Sequence, residues 1–271
     1  MFNLQQVDSL DLPELAPYRT MRMHHDHVQQ RIFVAEGVKV VRRLLESDFT
    51  VVSALMLERW VAELEPLLAS RPENITVFIA PKTSMEQLVG FTLYQGVMAI
   101  GRFPPPVSLE TRLQHSAKPH LIVALDGIAD AENMGVIVRN SLAFGAQLLI
   151  AGESSSSPYM RRAVRNSMGA IFKLPVVEPP NLIETLRQLQ ARGIRCIAAH
   201  GHATGKTLAQ CNLGSDCCIV LGSEGLGISP AVLEVCDEAV AIPMSSGVDS
   251  INVANAAAVF LFEANRQRGK M

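Results

Sequence analysis

The chain has 271 residues, 48% hydrophobic and 18% charged, with a formal net charge of −2. That length can bury a sizeable core in one large domain or two smaller ones. The charge balance excludes a generally basic, polyanion-coating protein, so any nucleic-acid role would rest on local patches. Apolar runs are broken by Gly, Glu or Asp before they reach the length of a membrane span. The opening MFNLQQVDSLDLPEL is acidic and lacks the basic start and apolar core of a secretory leader. Both features predict a cytoplasmic chain with no membrane partner. The cysteines (Cys196, Cys211, Cys217, Cys218, Cys236) are odd in number and lack CxxC spacing, which reads as reduced thiols.

In chain order, residues 1–17 read as a polar arm. His24, His25, Asp26 and His27 follow. Adjacent side chains rarely converge on one ion, so the cluster predicts a basic or polar loop and no metal. RIFVAEGVKVVRRLLESDFTVVSALML predicts a short apolar stretch, a helix over about Glu36–Ser47, then a strand. ITVFIA, SMEQLVGF and GVMAIGRF predict strand, short helix and strand, completing a small α/β module. RFPPPVSLETRLQHSAKPH, with its proline triplet, is the best linker in the sequence. The expected division is an N-terminal domain over 1–103, a linker over 104–118 and a second domain over 119–271.

The second domain alternates more regularly. HLIVALDGI, AQLLIAGE, LPVVEP, IRCIAAHG, CCIVLG and AVAIPMS read as strands. Between them lie helix-like stretches, among them ENMGVIVRNSLAFGA, YMRRAVRNSMGAIF, NLIETLRQLQARG and SPAVLEVCDEA, and a long helix from about Ser250 closes the chain. Short apolar strands separated by helices predict a mostly parallel sheet covered on both faces. Ligands of such sheets bind at loops beyond the carboxyl ends of the strands. Three such loops carry unusual chemistry: DGIADAENMG, LGSEGLG and IPMSSGVDSINVANAA. In the first, Asn133 stands as a helix N-cap, and Arg139 falls inside an apolar run where its charge needs a partner. In the second, Gly222, Gly225 and Gly227 surround Glu224 and let the backbone approach a ligand. The loop matches neither GxGxxG nor GxxxxGK[ST], so a nucleotide-dependent oxidoreductase or an ATPase has little support. In the third, Ser250 or Asn252 can cap the last helix.

ENMGVIVRNSLAFGA, LGSEGLG and IPMSSGVDSINVANAAA, in this order, closely resemble the three signature motifs of the SpoU (TrmH-like) family of RNA ribose 2′-O-methyltransferases, in the SPOUT superfamily. YMRRAVRNSMGAIFKLPV resembles the stretch before that family's central strand. RIFVAEGVKVVRRLL and GVMAIGRF resemble its small ribosomal-protein-like, N-terminal substrate-binding domain. The resemblance implies a parallel-sheet α/β domain with a deep C-terminal trefoil knot. It also implies S-adenosyl-L-methionine as cofactor and a homodimer joined through the knotted domain.

Carried over residue by residue, the resemblance implies a cofactor pocket of Ala199, His200, Gly201, Leu221, Gly222, Gly225, Ile242, Met244, Ser250 and Ile251. It implies a reaction centre of Arg139, Asn133, Glu224, Ser250 and Asn252. Ser223, Ile251 and Ala131 depart from the usual residues at their positions. RNA phosphates would meet Arg161, Arg162, Arg165 and Arg31. The domain order leans toward ribosomal RNA. A transfer-RNA 2′-O-methyltransferase and a non-catalytic RNA-binding protein of this fold are the alternatives.

Overall fold

The computed structural model describes residues 1–89, 95–203 and 205–269. The chain divides into two compact units, Met1–Pro105 with Tyr159–Phe172, and Pro106–Pro158 with Lys173–Met271.

The first unit is built on five strands: β1 (Phe2–Gln6), β2 (Ile32–Glu36), β3 (Val51–Met56), β4 (Ile75–Ile79) and β5 (Val97–Arg102), in the order β1-β4-β3-β5-β2. The polar arm is therefore corrected. Residues 2–6 form a strand parallel to β4, with Phe2 opposite Ile75 and Gln6 opposite Ile79. Four of its five side chains are exposed, so backbone pairing holds it at the sheet edge and no apolar alternation announces it. The helix Val38–Leu45 buries Val38, Val40, Val41, Leu44 and Leu45, the stripe its sequence shows. The helix Lys82–Val89 occupies most of SMEQLVGF; Gly90 and Phe91 lie outside the described residues. His24–Gln29 is a short helix, which corrects the expected loop. His27 is buried and lies 3.2 Å from Thr20 Oγ1, and burial pushes its imidazole below the ordinary histidine value.

Tyr159–Phe172 joins this unit through an aromatic cluster. The Phe33 ring lies 6.0 Å from Tyr159, 5.7 Å from Phe172 and 6.0 Å from Phe49. The helix expected over this segment is shorter, Arg161–Asn166, because Met168 and Gly169 take positive φ (52° and 82°) ahead of a 3₁₀ turn. Arg161 donates to Glu36 Oε2 at 2.5 Å and Arg165 to Oε1 at 3.2 Å, with Glu36 only 9% exposed. Removing one side of a buried ion pair leaves the other charge uncompensated. Glu36→Gln should thus destabilise the chain by about 3 kcal/mol, read as a lower urea midpoint. An unchanged midpoint would show that the pair holds nothing together.

The second unit is built on seven strands: β6 (Leu121–Asp126), β7 (Leu148–Ala151), β8 (Val176–Val177), β9 (Arg195–Ala199), β10 (Lys206–Thr207), β11 (Cys217–Gly222) and β12 (Glu238–Ala241). Their order is β10-β12-β9-β11-β6-β7-β8, and every pair is parallel. β6 and β11 are buried along their whole length, as continuous apolar runs predict for a sheet covered on both faces. Ile122, Ala124, Ile150, Ala198 and Val220 pack with Leu182, Leu186 and Leu189 of one helix and Val232 of another. The stretch read as a linker holds a helix, Leu109–His115, capped by Ser108 and burying Leu109 and Leu113 in this core. Since all strands run the same way, the loops after β6, β9, β11 and β12 leave one edge of the sheet. Among the described residues, no helix is long and apolar enough to cross a membrane.

Candidate active site

Glycine lets β11 end in a closed turn. Ser223 N donates to Gly227 O at 2.9 Å and Gly227 N to Ser223 O at 3.0 Å. Leu226 N donates to Ser223 Oγ at 3.1 Å, so serine at this position closes the turn. A Cβ on Gly222 would stand 2.1 Å from Ile228 N and 2.2 Å from Gly227 C. No side chain fits there. Glu224, Gly225 and Leu226 are left exposed at the tip.

Asp130, not Asn133, caps the helix Ala131–Ala143, accepting at Oδ1 from Glu132 N and Asn133 N, both at 2.8 Å. This corrects the expected cap and releases the Asn133 amide for other work. Asn133 Nδ2 donates to Glu224 Oε1, and Asn133 Oδ1 accepts from Asn252 Nδ2 at 2.9 Å. Asn252 Oδ1 in turn caps the last helix, Val253–Gln267, accepting from Ala254 N at 2.9 Å and Asn255 N at 3.3 Å. One hydrogen-bonded series, Glu224–Asn133–Asn252, thus joins the three motif loops. The two motif helices also meet directly, through Asn140 Nδ2 donating to Ala254 O at 2.9 Å.

A cavity of about 390 Å³ opens between the loops after β9, β11 and β12 and the start of the last helix. Such a volume suits a small molecule. Ala199, His200, Gly201, Leu221, Gly222, Gly225, Ile242, Met244, Ser250 and Ile251 all line it, so ten residues from the ends of three strands come together. Glu224 and Asn252 line it as well. His202, Asp249, Ala256 and Phe260 belong to the wall and were not singled out by sequence. Their positions beside Gly201 and Ser250, and one and two turns into the last helix, were the available signal. Among the described residues, the wall carries two carboxylates, Glu224 and Asp249, and no Lys or Arg. A phosphate-bearing ligand would lack a counter-charge here. A compact, cationic ligand with polar edges fits.

Arg139 does not line the cavity and is exposed. The expectation of a costly buried charge is corrected by the helix geometry. The buried residues Ala131, Met134, Gly135, Ile137, Val138 and Ser141 form one stripe. Glu132, Val136, Arg139 and Ala143 fall on the other at helical spacing, with Glu132, Arg139 and Ala143 exposed. No hydrogen bond or ion pair engages Arg139 among the described residues. The four arginines expected to meet RNA belong to the first unit. Arg162 and Arg165 are exposed. Arg31 is exposed too, donates to Pro104 O at 2.9 Å and lies over the Phe103 ring. Arg161 is committed to Glu36.

Residues 120–262 match the SpoU rRNA Methylase family, and that stretch contains all three joined loops. The chain belongs to the SpoU rRNA methylase family. The matched residues fall in the second unit, apart from the Tyr159–Phe172 segment of the first, and the chain is a methyltransferase. An uncharacterised tRNA/rRNA methyltransferase of Mycobacterium tuberculosis H37Rv is 33% identical, over 97% of this chain and 92% of that protein. The 23S rRNA (guanosine-2′-O-)-methyltransferase RlmB of Pectobacterium atrosepticum is 33% identical over 86% of this chain and 97% of its own length. Among solved structures, the SpoU methyltransferase AviRb of Streptomyces viridochromogenes in complex with AdoMet is similar, with a TM-score of 0.80 and 25% identity. That similarity covers 94% of this chain and 100% of AviRb.

Proposed function

We propose that this SpoU methyltransferase moves a methyl group from S-adenosylmethionine to a ribose 2′-hydroxyl of ribosomal RNA. The observation that carries the reading is the Glu224–Asn133–Asn252 series beside a cavity whose described wall holds two carboxylates and no Lys or Arg. S-adenosylmethionine has a sulfonium and an ammonium against one carboxylate, which suits that wall. When bound, it supplies an activated methyl group. Main-chain groups of Leu221, Gly222 and Gly225, with Ala199–Gly201, Ile242, Met244, Ser250 and Ile251, would hold it.

The chain's own work is to orient the ribose and manage the hydroxyl proton. A guanidinium cannot accept a proton at neutral pH. Arg139 therefore stabilises the developing alkoxide while an RNA phosphate or water takes the proton. Glu224, Ser250 and Asn252 order the loops around it. Ribosomal RNA is the favoured substrate because RlmB, similar over most of both chains, is named for 23S rRNA.

The finer architecture belongs to the same reading. We propose that the C-terminal segment threads as a trefoil knot, which the adjacency of β12, β9, β11 and β6 supports. The first unit serves as the ribosomal-protein-like RNA-binding module, with Arg31, Arg162 and Arg165 on phosphates and Arg161 acting chiefly through Glu36. Val259 and Phe262, 39% and 48% exposed on the last helix, support a homodimer through the knotted region. Phe262→Glu should then turn a dimer into a monomer by light scattering at micromolar concentration. A wild-type monomer under those conditions would remove the dimer.

Calorimetry with S-adenosylmethionine tests the function. Stoichiometric binding is expected, and no binding would favour the non-catalytic RNA-binding alternative.

A further inference from the structure

Asp126 lies outside the cavity wall, yet its carboxylate ties the end of β6 to the segments that follow β7 and β11. It is the last residue of β6, is 8% exposed, and stands in register with Gly222 of β11. Its Oδ2 accepts from Ser229 N at 2.7 Å and its Oδ1 from Ser154 Oγ at 3.4 Å. Ser229 follows the glycine turn directly, two residues after Gly227, and precedes the helix Pro230–Val235. Ser154 opens the serine loop after β7, and that loop braces the approach to the first motif. Ser155 Oγ accepts from Ile128 N at 3.1 Å and donates to Leu125 O at 3.2 Å. Ser156 Oγ donates to Ala129 O at 2.5 Å, and Ser156 N to Ile128 O at 2.8 Å. Asp130, the helix cap, comes next in the chain.

We propose that Asp126 is a positioning residue for methyl transfer. Through Ser229 it fixes the returning leg of the Ser223–Gly227 turn, and through that turn the Glu224 carboxylate that Asn133 holds. The turn needs an external anchor. It contains Gly225 and Gly227, residues that lose most freedom on ordering, and its internal closure is the Ser223–Gly227 pair and the Ser223 hydroxyl. A buried carboxylate accepting a backbone N–H and a hydroxyl is satisfied where it stands, and it can hold both loops without entering the cavity. The serine run after β7 then has a structural role as the other arm of the same clasp.

The inference rests on reading the cavity as the S-adenosylmethionine site, and wild-type binding tests that reading separately. With wild-type binding in hand, Asp126→Ala should weaken S-adenosylmethionine affinity by about ten- to a hundredfold, the range expected for loss of a hydrogen bond to a charged group. Asp126→Asn keeps an oxygen facing Ser229 N and should recover most of that loss. Equal affinity of Asp126→Ala and wild type would overturn the assignment, and so would an Asn variant no better than Ala. A cofactor-free measurement decides the point even if the alanine variant does not fold. In the wild type the Ser229 amide should be strongly protected from hydrogen exchange. Exchange as fast as an open loop amide would contradict the anchor.

Discussion

Arg139→Ala is expected to lower methyl transfer by roughly two to three orders of magnitude while leaving S-adenosylmethionine affinity nearly unchanged. The split follows from where the side chain stands. It is exposed, lies outside the cavity wall and has no partner among the described residues. Its removal therefore strands no internal group and opens no cavity. In the proposed role, what is lost is a positive charge that stabilises the oxygen in the transition state, with little bearing on the ground state. Arg139→Lys keeps the charge without the planar fork of donors and should fall between the two. Single-turnover transfer of labelled methyl, with calorimetry on the same samples, reads both quantities. Wild-type turnover in the alanine variant would remove Arg139 from the chemistry.

Gly222→Ala should abolish S-adenosylmethionine binding and destabilise the chain by about 3 kcal/mol or more. The added methyl would stand 2.1 Å from Ile228 N and 2.2 Å from Gly227 C. Both are main-chain atoms of the turn, so nothing flexible can move aside. The return leg would have to shift, and with it the Ser223–Gly227 pairing and Glu224. Gly225 is the internal control for stability, since a Cβ there meets nothing within 4 Å. Gly225→Ala should leave the urea midpoint close to wild type. Equal midpoints for Gly222→Ala and wild type would show that the turn relaxes at little cost.

The sheet of the second unit was legible because its strands are buried on both sides and carry unbroken apolar runs. HLIVALD and CCIVLG are the clearest cases. β1 and the two-residue β10 were not legible. Their positions depend on backbone pairing with β4 and β12, which side-chain patterns do not encode. The helix Leu109–His115 hid behind a proline triplet that reads as linker, although Ser108 is an ordinary N-cap. At the site, the family resemblance singled out ten residues that line the cavity, seven of them in the second and third motifs. The motifs did not show that Asp130 rather than Asn133 caps the helix, because either residue is a plausible cap. That choice decides what the Asn133 amide can join. Arg139 was misjudged as buried because Val136, Ile137 and Val138 hide the solvent stripe of an otherwise apolar helix.

The most direct test is to incubate the purified protein with unmodified ribosomal RNA and S-adenosylmethionine, then map the methyl group at nucleotide resolution. The account predicts alkali-resistant methylation at a ribose 2′-oxygen, absent when Arg139 is alanine. Methyl transfer to a base, or equal labelling by the Arg139→Ala variant, would contradict it.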